Sequence, residues 1–358
     1  MTTNTDSHTQ PEEVELIIGN SNSNFSGVTS TMLQVMSHQK KLINLRIMGK
    51  HYVPEPGLVI SFWHTVKLCR KPLSNGKWRI FHARRVDEMI QGVILKYVFG
   101  AKIKLVFSSA AQRKRSGSTK WLTEKMDAVI AVSQRSASFL HKPPTMVNPH
   151  GVQIDNYRPA PDKQAAWQAL GYGGKSGIGI LGRVRKQKGV HLFVEACIQV
   201  LPELPEVNAV VVGAISSSNQ DFVDGLKDKI KQAGLEGRIT FTGELPFEQI
   251  PPIFSALSMV SALSDNEGFG LTVLEAMSCG AAVLATQAGA WEEIIRQGKD
   301  GYVVPVNDQK AVTEKMQLML SDTEKLAEMG VTGQKRVEEN YRVEIEAKNL
   351  VDFFRTLQ

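Results

Sequence analysis

The chain has 358 residues, 42% of them hydrophobic and 22% charged, more than the roughly 250 to 300 residues that one hydrophobic core usually serves. Two globular domains are expected; a small disulfide- or metal-stapled module is excluded, and no apolar run approaches the roughly 18 residues needed to cross a bilayer. The net charge of +6 hides an uneven split: residues 1–150 carry 21 Lys and Arg against nine Asp and Glu, and the remainder carries 21 against 27. Positive charge concentrated in the first half points to an anionic partner met there, whether nucleic acid, a phosphorylated glycolipid or an anionic membrane. Cys69, Cys197 and Cys279 are odd in number and far apart, so they read as buried free thiols rather than as a disulfide framework or zinc site. Residues 1–12 are polar and lack the basic and apolar regions of a secretory signal, so a short disordered tail on a cytoplasmic protein is expected.

In chain order, residues 14–19 form an apolar run that ends in glycine, followed by the polar loop SNSNFSG and a helical segment at 28–39. Further apolar runs at 58–63, 78–82, 104–108 and 128–132 are each followed by helical or turn-like sequence. Continuous rather than alternating apolar strands separated by helices imply a parallel sheet covered on both faces. The pattern restarts with strands expected at 176–181, 208–212, 239–242, 258–262, 282–285 and 301–304. Helices are expected at 189–201, 221–233, 271–278 and 310–339. Pro143, Pro144, Pro149, Pro159 and Pro161 mark residues 145–162 as a linker without regular structure. The expected organisation is α/β, with two doubly wound domains at 1–155 and 156–339 facing across a cleft and a last helix at 340–358 packing back on the first domain.

Two familiar nucleotide signals fail. Gly177, Gly179 and Gly182 satisfy G-x-G-x-x-G, but they lie within an apolar run instead of opening a helix after one. Gly174, Lys175 and Ser176 mimic the end of a P-loop, yet Ala169 stands where its first glycine belongs. A better signal is Gly182-Arg183-Val184-Arg185-Lys186-Gln187-Lys188-Gly189-Val190, which puts cations on a strand-to-helix loop where they can join a helix start in binding phosphate. Alone it is an ordinary basic surface loop. The block from Ser264 to Gly280 supplies the second half: Glu267 and Glu275 flank Gly268, Phe269 and Gly270, whose backbone N–H groups open a helix and suit a diphosphate, while Glu275 can accept hydrogen bonds from a ribose diol.

Together with Asn148-Pro149-His150-Gly151-Val152, these two blocks resemble glycosyltransferase family four, over nearly the whole chain. Within that family the first half is similar to bacterial lipopolysaccharide core mannosyltransferases, through Phe81 to Arg85, Lys104 to Arg113 and Met126 to Ile130. The resemblance implies the GT-B fold and a retaining, metal-independent transferase that needs no cofactor, moving mannose from the donor GDP-mannose to the inner core of lipopolysaccharide at the cytoplasmic face of the inner membrane. It implies that Arg183 and Lys188 neutralise the diphosphate and that Glu267 contacts the transferred sugar. Gly27, Gly182, Gly268, Phe269, Gly270, Leu271, Thr272 and Glu275 would hold the donor.

The family often carries two adjacent glycines in its first loop, whereas Ser26 precedes Gly27 here. It also often carries a histidine near the reacting sugar, where this chain has Phe107-Ser108-Ser109; the polar contact then falls to Ser108, Ser109 or His82, the last being equally an ordinary buried histidine. His150, in place of the common Pro-Asn-Gly linker sequence, is a weaker candidate. Arg84, Arg85, Arg113, Lys114 and Arg115 are expected to bind anionic groups of the acceptor, with Lys120, Lys125 and Trp121 adding peripheral contact with an anionic membrane. No recognition-helix, zinc-finger or RNA-binding motif accompanies the charge, so nucleic acid is not an expected partner. A UDP-sugar transferase of the same fold, a catalytically silent glycan- or membrane-binding module and a nucleotide-sugar epimerase remain as alternatives.

Overall fold

The computed structural model describes residues 13–113 and 116–358; the expected tail, Lys114 and Arg115 lie outside the described residues. The first sheet has seven parallel strands, β1 (Leu16–Gly19), β2 (Leu45–Met48), β3 (Val59–Ile60), β4 (Arg79–Ala83), β5 (Ile103–Ser109), β6 (Ala128–Ala131) and β7 (Met146–Val147), in the order β3-β2-β1-β4-β5-β6-β7. The second has six, β8 (Ser176–Leu181), β9 (Val207–Val212), β10 (Ile239–Gly243), β11 (Leu257–Ala262), β12 (Ala282–Thr286) and β13 (Gly301–Val304), ordered β10-β9-β8-β11-β12-β13 and also parallel. Helices cover both faces, which is why β1 and β9 are buried at every residue and why their sequences are apolar without alternation. Two Rossmann-like domains result.

Departures from the sequence reading have local causes. Only Val59 and Ile60 of the expected strand at 58–63 pair, because Pro56–Leu58 forms a 3₁₀ turn and Ser61 begins the helix Phe62–Leu68, its hydroxyl accepting the His64 N–H at 3.1 Å. Strand β2 was not expected: Arg46 interrupts its apolar run. Within the proline-rich stretch Met146 and Val147 do form regular structure, pairing with Ile130 and Ala131. The single helix expected at 310–339 is two, Gln309–Leu320 and Thr323–Asn340, divided where Asp322 accepts the Lys325 N–H at 3.0 Å and caps the second.

The chain crosses between the domains twice, and the two crossings are paired. Val152 N–H donates to the Tyr341 carbonyl at 2.8 Å and Val343 N–H to the Val152 carbonyl at 3.1 Å. Beyond this pairing the last helix, Val343–Leu357, buries Val343, Ala347, Leu350, Val351 and Phe354 against Leu16, Ile18, Met32, Val35 and Met36 of the first domain. A fully buried phenylalanine such as Phe354 is worth about 3–5 kcal/mol over alanine, so this helix is part of the first core.

Both strand orders reverse direction beside their first strand, between β1 and β4 and between β8 and β11. Loops leaving those strands part there and open a crevice, the usual ligand position in open α/β sheets. Four loops therefore define the place to look: residues 20–26, 84–85, 182–189 and 263–270.

Candidate active site

In the second domain the two switch-point loops are bonded to each other. The Lys188 ammonium donates to both oxygens of Glu267, with Oε2 at 3.0 Å; Gln187 Nε2 donates to the Asn266 carbonyl at 2.7 Å, and Asp265 N–H to the Gln187 carbonyl at 3.0 Å. Lys188 and Glu267 are both mostly buried. An ammonium has three donors, so Lys188 can add a phosphate oxygen without losing Glu267. Two glycines permit this approach. Gly189 has φ +71°, and a Cβ there would stand 2.2 Å from the Leu263 carbonyl oxygen; Gly270 has φ +88°, and its Cβ would meet Trp291 Nε1 at 2.3 Å, the atom that donates to the Gly270 carbonyl at 2.9 Å. Gly270 opens the helix Leu271–Ser278, whose Leu271, Thr272 and Glu275 are half-buried along its open side.

Three cavities run in series through the crevice. The first, about 300 Å³, is bounded by Gly182, Arg183, Glu244, Phe247, Thr272 and Glu275. The second, about 420 Å³, shares Thr272 and Glu275 with it and lies between Ser26-Gly27 and Glu267 to Leu271, with His150 on its wall. The third, about 820 Å³, shares Glu267 and Gly268 with the second and carries Arg84, Arg85, Arg113 and Arg185. The middle cavity thus has a helix start on each side, Gly27–Gln39 from the first domain and Leu271–Ser278 from the second. Opposed helix starts flanked by Lys188 suit a doubly charged group such as a diphosphate. Gln112 Nε2 reaches across the crevice to the Gly268 carbonyl at 2.9 Å.

The expected donor-side residues converge on these cavities: Gly27, Glu267, Gly268, Phe269, Gly270, Leu271, Thr272 and Glu275 around the middle one, Gly182 and Arg183 around the first. On the acceptor side Arg84, Arg85 and Arg113 border the third. Arg85 Nη2 donates to Ser26 Oγ at 2.9 Å and Thr29 Oγ1 at 2.8 Å, which fixes it beside the first helix start. Among the described residues Arg84 Nη1 and Arg185 Nε are buried donors with no hydrogen-bond partner.

His82 and Ser109 are corrections. His82 is 0% exposed, with Nε2 2.8 Å from Ser108 Oγ and its ring edge-on to Phe354 at 5.1 Å. Burial, reinforced by Arg84 and His150, holds its pKa well below the ordinary value, so it is a neutral core histidine. Ser109 is equally buried, so neither side chain is exposed to solvent in the crevice. Ser108 is half-buried and hydrogen-bonded to His82. The last helix that seals His82 arrives from the far end of the chain, so nothing local in the sequence marks its burial. His150, the weaker candidate, borders the middle cavity, and Arg185 of the cationic loop borders the third.

Fold and site together give a protein of two Rossmann-like domains whose shared crevice is lined by helix starts and cations. Comparison with known proteins agrees. The family profile described as Glycosyl transferases group 1 matches residues 164–336. The lipopolysaccharide core biosynthesis mannosyltransferase LpcC of Rhizobium leguminosarum bv. viciae is 38% identical over 96% of this chain and 97% of its own, and LpsB of Rhizobium meliloti (strain 1021), of the same description, is 36% identical over 96% and 98%. The crystal structure of Anabaena HepE in complex with UDP and glucose superposes with a TM-score of 0.76 at 20% identity, over 96% of this chain and all of that one. The chain belongs to the glycosyl transferases group 1 family, with the GT-B fold.

Glu275 gives the site a measurable signature. Its carboxyl is raised from 4.5 to about 7 by burial, which outweighs the lowering effect of its hydrogen bond with Tyr157. Because the folded state penalises the ionised form, stability falls as pH rises from about 4.5 to about 7 and is level above that range. Glu275→Gln removes the penalty while keeping an acceptor for Tyr157. The variant is expected to melt at a higher temperature than wild type at pH 8 and close to it at pH 5; lower stability at pH 8 contradicts this account of the carboxyl.

Proposed function

We propose that the chain transfers mannose from GDP-mannose to the inner core of lipopolysaccharide, with retention at the anomeric carbon and without a metal ion. The observation that carries the reading is the series of three contiguous cavities, with two helix starts on the middle one and arginines at one end. In this reading the nucleoside occupies the first cavity, with Glu275 accepting hydrogen bonds from the ribose hydroxyls. The diphosphate lies between the two helix starts, and Arg183 and Lys188 meet the charge that develops on the leaving group. Glu267 holds Lys188 in place and faces the sugar where the second and third cavities join. The acceptor lies in the third cavity, its phosphate or carboxylate groups met by Arg84, Arg85, Arg113 and Arg185. Its hydroxyl attacks the anomeric carbon from the side on which the bond to the β-phosphate breaks, and the departing phosphate oxygen takes the proton. The sugar and acceptor assignments are supported by the descriptions of LpcC and LpsB, and the guanosine by the resemblance noted in the sequence.

The acceptor is embedded in a membrane, and the reading includes peripheral contact with anionic lipid at the cytoplasmic face. Among the described residues no helix is long and apolar enough to cross a membrane. An exposed aromatic face on the first domain supports surface contact: Trp63, 67% exposed, stacks edge-on against Phe99 at 5.4 Å beside Tyr97 and Val98, the latter 71% exposed. Trp121, with Lys125 over its ring at 5.4 Å, stands on the helix Gly117–Glu124, which packs against the helix Val86–Val93 that leads into Tyr97. Aromatic rings interleaved with lysines suit an anionic interface.

Two measurements test the proposal. Incubation of the protein and truncated lipopolysaccharide core with GDP-mannose, UDP-glucose and UDP-N-acetylglucosamine is expected to give transfer from GDP-mannose alone. Lys188→Ala or Glu267→Ala should reduce that transfer by at least about a hundredfold, the scale of removing one charge-stabilising group. Transfer from a UDP-sugar instead would replace the donor assignment, and no transfer from any would favour a silent binding module. In co-sedimentation, vesicles containing phosphatidylglycerol should retain the protein more than neutral vesicles do, with retention weakened by salt and by Trp63→Ala; equal retention by both vesicle types would remove the membrane contact.

A further inference from the structure

The linker histidine is built into the middle cavity more firmly than its sequence context suggested. His150 Nδ1 lies 2.8 Å from Glu346 Oε1, and the other oxygen of Glu346 accepts the Gly151 N–H at 2.8 Å. The Glu346 side chain is 4% exposed. Asn148 Nδ2 donates to the Glu346 main-chain carbonyl at 3.3 Å, which ties the linker to the same helical turn. Phe269 completes the seat, its ring edge-on to the imidazole at 5.0 Å. The histidine is therefore gripped by the last helix on one side and by the donor-side loop on the other.

This seat dictates the chemistry of the free nitrogen. A carboxylate only accepts, so the contact with Glu346 puts a proton on Nδ1, and in the neutral imidazole Nε2 is then the acceptor. His150 borders the cavity that also holds Gly27, Glu267 and Gly270, with its Nδ1 turned to Glu346. Such an acceptor does not suit phosphate oxygens, which the two helix starts bordering the same cavity suit instead. What an acceptor on this wall complements is a hydroxyl group. The usual histidine position near the reacting sugar is Phe107-Ser108-Ser109 here, and His82 beneath it is sealed.

We propose that His150 Nε2 accepts a hydrogen bond from one hydroxyl of the transferred sugar, and that Glu346 is the positioning residue that fixes its tautomer. The inference rests on the donor reading above and adds a sugar-specific contact supplied by the interdomain linker. It also couples recognition to the relative placement of the domains, because His150 touches the linker, the last helix and the second-domain loop at once.

Calorimetry on the full chain tests it with GDP, GDP-mannose and the four monodeoxy analogues of GDP-mannose. His150→Ala is expected to leave GDP affinity within about twofold while weakening GDP-mannose by about tenfold, the scale of leaving one buried polar group unpaired. For one deoxy analogue the wild type and His150→Ala should bind alike, which identifies the contacted hydroxyl. Glu346→Gln should reproduce the selective loss, since a side-chain amide can donate to Nδ1 and move the proton to Nε2. His150→Gln, which keeps an acceptor, should recover part of it and serves as the deciding variant if the alanine protein loses GDP binding through misfolding. Equal weakening of every analogue by His150→Ala, or unchanged GDP-mannose affinity, overturns the inference alone. A wild type that binds neither GDP nor GDP-mannose overturns the donor reading and this inference with it.

Discussion

The paired crossing of the chain at Val152 and Arg342 is the constraint on which the site depends. Each Rossmann-like domain could fold around its own sheet, but the crevice requires the helix starting at Gly27 to face the helix starting at Leu271. Two strands of chain, hydrogen-bonded where they cross and locked by Glu346 on one side, hold that relation. Additional bonds span the interface away from the chemistry: Glu293 accepts the N–H groups of Gln134 and Arg135, both at 2.9 Å. The domains are thus clasped on two sides of the cavities that they share.

Within that frame the charge distribution acquires a function. The first half of the chain is strongly basic and the second acidic, yet the second domain concentrates its useful cations in the loop from Arg183 to Lys188. Lys188 is satisfied by Glu267 in the absence of other partners, so a mostly buried ammonium is kept in position at modest cost. Arg84 and Arg185 carry buried nitrogen donors without partners, which leaves hydrogen-bonding capacity on the acceptor side. The arginine-lined cavity and the middle cavity meet at Glu267 and Gly268, and the proposed function gives them to acceptor and donor respectively.

Much of this was legible in the sequence, and the exceptions share a physical cause. The inner strands of the second sheet, such as β9 and β12, announce themselves as apolar runs, because strands buried on both faces need them. That the loops carrying Lys188 and Glu267 belong to one site was legible; the direct contact between these residues, 79 apart, was not. Strand β2 was not, since Arg46 breaks its run, nor was the two-residue β7 among prolines. The two histidines were left open by the sequence. His82, equally a site or a core residue there, is buried against Phe354; His150, the weaker candidate, borders the middle cavity, held by Glu346. Both outcomes follow from a single helix, Val343–Leu357, that returns from the far end of the chain, and no local pattern encodes where a returning helix will pack.

The most direct test of the account is a crystal structure of the protein with GDP-mannose bound. The account predicts the nucleoside between Arg183 and Glu275, the diphosphate between the Gly27 and Leu271 helix starts within reach of Lys188, and the sugar at the junction beside Glu267. A donor bound with its diphosphate outside the two helix starts, or with its sugar directed away from the arginine-lined cavity, would contradict it.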